Sequence, residues 1–442
     1  MSAPGIAASR LATPLVLRLY VGAAWLAAAL LLGVALLAIT GDRDALQAVR
    51  SDTAPSIVAA EELGVHLAGL DSQLAVAMLG GERDREVAGE LFELERSVVT
   101  RRLVDAANNI TLGDAERIPI VVMSEETGRY LELASRAQSL HAGGDHGGAL
   151  GALRLATGLM HDRILPQAAA LDRANRDDMD RRYDRSQHAS RLHELEALLA
   201  GGLLLTILVA AQWFVRARMR RRLVPALLAA TLLSGAFTAS LVGRFRDSRE
   251  DLRVARDDAF NSIHLLWRAR ALAYDARGDE DRYLLGRAGS GAYASGFVVK
   301  VSQLSSTAGD PRLGAEPRGL LIDELHNVTF QGEAQAAQAA LAALSEFVLV
   351  DGRIRTSEAQ GQHAQAVDLA IGGGAGQAGA VFARLDAALE RATMINQDAF
   401  DAVLRAADDG LRRAGWLDPA LALAIALAAW LGVRPRLREY SA

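Results

Sequence analysis

The chain has 442 residues, of which 51 % are hydrophobic, and its 48 Lys and Arg against 53 Asp and Glu give a net charge of −5. There is no cysteine, which excludes a disulfide framework and a thiolate nucleophile. The apolar residues gather in four runs, and a single Lys, Lys300, stands among abundant Arg and Ala, a usage that fits a GC-rich bacterial genome.

In chain order, residues 1–18 carry Arg10 and Arg18 and are followed by an apolar run from Leu19 to Ile39. That run is close to the ~20 residues that cross a bilayer as a helix. It exceeds the 7–15 residues of a signal-peptide core, and no small-x-small site follows it, so an uncleaved anchor is expected. Residues 40–196 form the first polar stretch. Its Leu63, Leu67, Leu70, Leu74 and Met78 recur at helical spacing and predict a stalk helix rising from the first span. Gly80-Gly81 ends it, and a second helix is expected from Asp84 to Ala107. Asn108 to Pro119 reads as a loop, with Pro119 opening the next helix. That helix runs to His141 and is broken by Gly143, Gly144, Gly147 and Gly148. A short helix to Met160 and a long one through Leu165, Leu171, Met179 and Tyr183 lead into the second span, 197–215.

The loop 216–222 holds Arg216, Arg218, Arg220, Arg221 and Arg222, and the third span covers 223–242. The second polar stretch, 243–415, opens on a stripe of Ile263, Trp267, Ala271 and Tyr274. It closes on Phe382, Leu385, Leu389, Ala392, Asn396 and Phe400. A fourth span, 416–433, precedes a tail, 434–442, with Arg434, Arg436 and Arg438. Arg-rich short segments stay in the cytoplasm, so both termini and the central loop are expected inside. The polar stretches then lie outside, where 40–194 holds 26 acids against 18 bases and 244–415 holds 24 against 20. The spans hold few polar groups, with charge only at Glu196 and Asp418 on their edges. This argues against a pore or transporter. Gly201, Gly202, Gly235 and Ala239 suit close helix packing.

The second half echoes the first. Ser56-Ile57 and Leu79-Gly80 return as Ser262-Ile263 and Leu285-Gly286. His146 and Ala149 return as His363 and Ala366, and Ala170, Leu171, Arg173 and Ala174 as Ala388, Leu389, Arg391 and Ala392. The fold expected is therefore all-α: four transmembrane helices and two extracytoplasmic helical-bundle domains in tandem duplication.

Chemistry is sparse. His141 and His146 flank Asp145 in a Gly-rich turn, which reads as a solvated loop. Lys300 has no phosphate loop around it. Gly372-Gly373-Gly374 and Gly376 read as a helix-breaking turn. Asn109-Ile110-Thr111 and Asn327-Val328-Thr329 fit the glycosylation pattern by accident. The clusters Asp177, Asp178, Asp180 and Asp279, Glu280, Asp281 read as solvated helix faces. No catalytic, cofactor or metal residues stand out, and no enzyme is expected. Arg101, Arg102, Arg353 and Arg355 are the candidates for contact with a ligand or partner, since paired Arg clamps carboxylates. Arg216, Arg218, Arg220, Arg221 and Arg222 would touch anionic lipid or a cytoplasmic partner.

The duplicated four-span plan, with the stretches Gly147 to Met160, Ile164 to Ala169, His363 to Ala370 and Phe382 to Leu389, resembles the actinobacterial GlnX-type membrane proteins. The resemblance implies a signalling adaptor in the plasma membrane. It would couple an extracytoplasmic amino-acid-binding lipoprotein, for glutamate or aspartate, to a cytoplasmic serine/threonine protein kinase. It implies no cofactor and no nucleic acid, and it leaves a homo-oligomer open. A direct small-ligand sensor of chemoreceptor type and a cell-envelope scaffold are the alternatives.

Overall fold

The computed structural model describes residues 5–50, 54–219, 224–286, 290–306 and 318–438. Among the described residues the regular structure is all helical, with no strand. The elements are α1 (Gly5–Ala48), α2 (Ala54–Leu79), α3 (Glu82–Asn108), α4 (Asp114–Ala142), α5 (His146–Leu159), α6 (Leu165–Met219), α7 (Pro225–Arg253), α8 (Asn261–Gly286), α9 (Gly291–Leu304), α10 (Leu320–His326), α11 (Glu333–Ala359), α12 (His363–Ile371) and α13 (Ala378–Arg438). Wider π-turns, Met160–Ile164 and Val254–Phe260, join α5 to α6 and α7 to α8. The expected breaks at Gly80-Gly81 and at Gly143-Gly144 are where α2 and α4 end, whereas Gly147 and Gly148, also expected to break the helix, lie in the first turn of α5. Gly144, at φ +79°, takes the left-handed backbone that only Gly adopts cheaply. The helix expected to open at Pro119 begins at Asp114 instead. There the carboxylate of Glu116 accepts the amides of Thr111 and Leu112 at 2.6 and 2.7 Å and fixes the first turn.

The helices gather into two compact units. One comprises Met1–Ala48, Arg181–Arg253 and Val403–Ala442, the other Val49–Asp180 and Val254–Ala402. The first unit contains the apolar parts of α1, α6, α7 and α13, which supply four helices long and apolar enough to cross a membrane. Each turns a narrow face inward. Leu17, Ala24, Leu31 and Ala38 of α1 meet Ala197, Leu204 and Leu208 of α6, Leu227, Phe237 and Leu241 of α7, and Ile425, Ala429 and Val433 of α13. The opposite faces leave Leu19, Leu26, Leu37, Leu199, Trp213, Leu232 and Leu423 well exposed, the pattern of helices solvated by lipid chains. Gly201 allows the close approach foreseen for it, because a Cβ there would lie 2.2 Å from Thr238 Oγ1. Asp418, at the edge of the fourth apolar run, is buried against Arg244 at 2.6 Å.

The second unit draws on both polar stretches, which pack together as one body. Helices α2 and α8 lie against each other. The core of the first stretch is built on Leu63, Leu67, Leu70 and Leu74 with Tyr130, Leu153 and Ile164. That of the second is built on Leu266, Phe297, Phe347, Leu385 and Leu389. Leu79, at the end of α2, packs into the second core, while Leu285, at the end of α8, packs into the first.

Candidate functional site

The contact between α2 and α8 is not wholly apolar. Asp71 follows Leu70 in the apolar stripe of α2 and is 2 % exposed. Its carboxylate accepts from Arg282 of α8 at 2.6 Å, from Tyr130 at 3.2 Å and from Thr157 at 3.1 Å. Arg282 also donates to Asp279 at 3.0 Å and lies 3.5 Å from Asp275. Lys300, the lone lysine, reaches in from α9 to Asp275 at 2.9 Å and Asp279 at 2.5 Å. His161, in the π-turn after α5, is 3.1 Å from Asp275 and 3.7 Å from Asp71. Two glycines make room: a Cβ at Gly278 would meet the Arg282 guanidinium at 2.8 Å, and one at Gly296 would meet Asp279 at 2.4 Å.

Charge in this cluster balances when His161 is protonated, with three carboxylates facing Arg282, Lys300 and an imidazolium. Burial works against a charged His161, but the carboxylates of Asp275 and Asp71 outweigh it and raise its pKa to about 9. Burial likewise opposes ionisation of Asp275, yet His161 and Lys300 bring its pKa down to about 2. For Asp71, Arg282 and His161 overcome burial and leave the pKa lowered.

A second buried group lies further along α8. Arg277 bonds Glu280 at 3.0 Å and the Ala370 carbonyl at 2.6 Å, and its Nε is 3.2 Å from Asp281. Burial pushes the Glu280 carboxyl well above the usual carboxylate range, against the opposing charge of Arg277, and raises Asp281 to about 6. The reading of Asp279, Glu280 and Asp281 as a solvated face is therefore overturned. All three are buried, because Arg277, Arg282 and Lys300 supply partners inside the fold. In the other acidic cluster, Asp178 is buried too.

A cleft of about 550 Å³ opens between α2, α6 and α8. Short side chains hollow it out: Ala60, Gly64 and Ala68 on α2, Ala168 and Ala169 on α6, and Ala271 on α8. Its polar lining includes Glu61, Asp172, Arg173, Arg176, His264 and Arg268, with Trp267 beside them. Glu61 contacts His264 Nδ1, and Arg176 holds Asp172 in a two-point bond at 2.8 and 3.1 Å. Burial raises the Glu61 pKa to about 7 against the opposing hydrogen bond from His264.

The arginines singled out in the sequence are dispersed. Arg101 is exposed on α3, while Arg102 pairs with Glu62 of α2 and lies 3.9 Å from Asp105. Arg353 is exposed and donates to the Gly376 carbonyl at 3.2 Å. Arg355 turns inward, bonds Asp351 at 2.6 Å and stacks over Tyr283 and Phe297 at 4.8 and 5.2 Å. Arg216 and Arg218 are exposed at the end of α6, whereas Arg220, Arg221 and Arg222 lie outside the described residues. In the turn between His141 and His146 the rings are 5.3 Å apart, and Asp145 caps α5 by accepting from Gly148 at 2.9 Å. The charge cluster and the cleft went unread because each brings together residues far apart in the chain. The one local signal was Asp71, a carboxylate set between Leu67, Leu70 and Leu74 of the apolar stripe of α2.

The Asn-x-Thr sequences recur for a structural reason. Asn109 donates to Ser56 Oγ at 2.6 Å, and Asn327 to Ser262 Oγ at 2.8 Å. Each precedes a Glu that caps the next helix, since Glu333 accepts from Thr329 and Phe330 at 2.7 and 2.9 Å as Glu116 does from its own loop.

These features define a helical protein with membrane-compatible apolar helices and a helical unit carrying a buried charge cluster. Residues 45–184 match the family model of the actinobacterial sensor domain. The match takes in α2 to α5 and the first part of α6, and it supports an actinobacterial sensor protein with a sensing or signalling role. No curated protein and no solved structure matches the chain.

Proposed function

We propose that the chain is a transmembrane signalling adaptor of actinobacteria, with the helical unit as its extracytoplasmic input and the arginine-rich helix ends as its cytoplasmic output. The match of residues 45–184 to a sensor domain carries this reading. Four helices of membrane length and the Arg-rich loop and termini support the orientation. We read the unit as two copies of one module. The common helix order, the exchange of Leu79 and Leu285 between cores, and the paired Ser-Asn-Glu arrangements support that duplication.

In this reading an amino-acid-loaded lipoprotein, for glutamate or aspartate, docks on the outer unit and favours one of two helix packings. The loaded partner shifts that equilibrium only by its differential affinity for the two packings. Helices α6 and α13 each have residues in both units, so a shift of ~1–2 Å in either can alter what a serine/threonine kinase meets at the basic ends. Crosslinking in intact cells, followed by purification of the chain and mass spectrometry of its companions, tests the proposal. Recovery of a solute-binding lipoprotein and a kinase is expected. Recovery of the chain alone, or with envelope enzymes, would overturn the relay.

A further inference from the structure

We infer that Glu61, Asp172 and His264 form a binding site for a divalent first-row transition metal ion of the zinc class, open to the cleft between α2, α6 and α8. This inference is independent of which partners the chain engages.

Each of the three residues comes from a different helix, and their ligand atoms lie within 4.8 Å of one another. His264 Nδ1 touches Glu61 Oε1 and is 3.9 Å from Asp172 Oδ1. Donors at 2.0–2.2 Å from a common tetrahedral ion stand about 3.3–3.6 Å apart, so small rotamer adjustments suffice. Two carboxylates and an imidazole suit zinc, manganese, iron or cobalt. Calcium and magnesium prefer an all-oxygen shell.

A plain ion pair between Glu61 and His264 would explain only half of the Glu61 carboxylate. The side chain is 5 % exposed, yet Oε2 is buried without a hydrogen-bond partner. Buried carboxylate oxygens are ordinarily satisfied, and a cation seated among the three residues satisfies this one. The surroundings are also those of a ligand set. Arg176 holds Asp172 through both carboxylate oxygens, fixing its orientation as outer-shell partners do. The cleft leaves one side of the cluster open for a fourth ligand. Because Glu61 and Asp172 belong to one polar stretch and His264 to the other, a bound ion would staple the two stretches together.

The test uses the purified full-length chain in detergent, stripped with a chelator and titrated with ZnCl2 by calorimetry. One ion per chain is expected. Glu61→Gln and His264→Ala should each weaken binding at least tenfold, while His188→Ala, an exposed histidine of α6, should not. X-ray absorption of the zinc-loaded wild-type chain should show a mixed nitrogen and oxygen shell with imidazole scattering, a result that does not depend on any variant folding. Absence of stoichiometric binding, equal binding by His264→Ala, or an all-oxygen shell would overturn the site.

Discussion

Asp71 of α2 and Arg282 of α8 are 211 positions apart in the chain and meet at 2.6 Å in the interior of the helical unit. Neither reaches solvent appreciably. The contact between the two polar stretches is thus built around a paired charge. Such a pair adds little net stability over an apolar substitute, but removing one member leaves the other stranded.

Replacing Arg282 with Met should accordingly destabilise the chain by about 3–5 kcal/mol, because Asp71 and Asp279 lose their buried partner. The double variant Asp71→Asn with Arg282→Met should recover part of that loss. Thermal denaturation of the detergent-solubilised chain measures both. Equal midpoints for wild type and Arg282→Met would show that the cluster is not buried as described.

The pH dependence follows from His161. Its folded pKa of about 9 lies above the ordinary 6.5, so its stabilisation is complete below pH 6.5 and is lost as pH rises through about 9. The size of the effect is at most about 3 kcal/mol. Glu324, raised by burial to about 8, also loses stability as pH rises, and that component persists in any His161 variant. The expected signature is therefore a difference. Between pH 6 and 9.5 the gap in stability between wild type and His161→Gln should narrow, and a constant gap would contradict the assignment.

The capping carboxylates give a paired prediction. Glu116→Ala and Glu333→Ala each strand two backbone amides, those of Thr111 and Leu112 or of Thr329 and Phe330. Each should cost about 1–3 kcal/mol, with similar values because the geometry is repeated. Denaturation midpoints of the two variants provide the comparison.

Among the apolar helices, Gly201→Ala should lower thermal stability, since the added Cβ would press on Thr238 of α7. Thr238→Gly should relieve most of that loss in the double variant, a non-additivity expected of residues in contact. Simple addition of the two effects would rule out the close approach.

The helices were largely legible in the sequence, and the charge cluster was not. The Leu63 to Met78 stripe, the Gly-rich breaks and the four apolar runs are local patterns whose period dictates a helix. Asp279, Glu280 and Asp281 are equally conspicuous, but a charge run reads as a solvated face until its partners are known. Arg282 is three residues from Asp279, yet it completes its pairing only with Asp71 in the other stretch. In sequence Lys300 stood out for its rarity and for the phosphate loop it lacks, whereas in the fold it neutralises Asp275 and Asp279. Nothing near Arg355 in the chain announces that it stacks over Tyr283 and Phe297. The Asn-x-Thr pair looked accidental, since Ser56 and Ser262 lie more than fifty residues from their asparagines.

In the proposed sensor the two polar stretches form one unit on the outer side of the membrane, with the basic ends inside. The cysteine-free chain allows single cysteines to be placed without background at three exposed positions, Glu125→Cys, Gln360→Cys and Arg216→Cys. In intact cells a membrane-impermeant maleimide should label the first two and reach the third only after permeabilisation. Labelling of Glu125→Cys without Gln360→Cys, or of Arg216→Cys in sealed cells, would contradict the account.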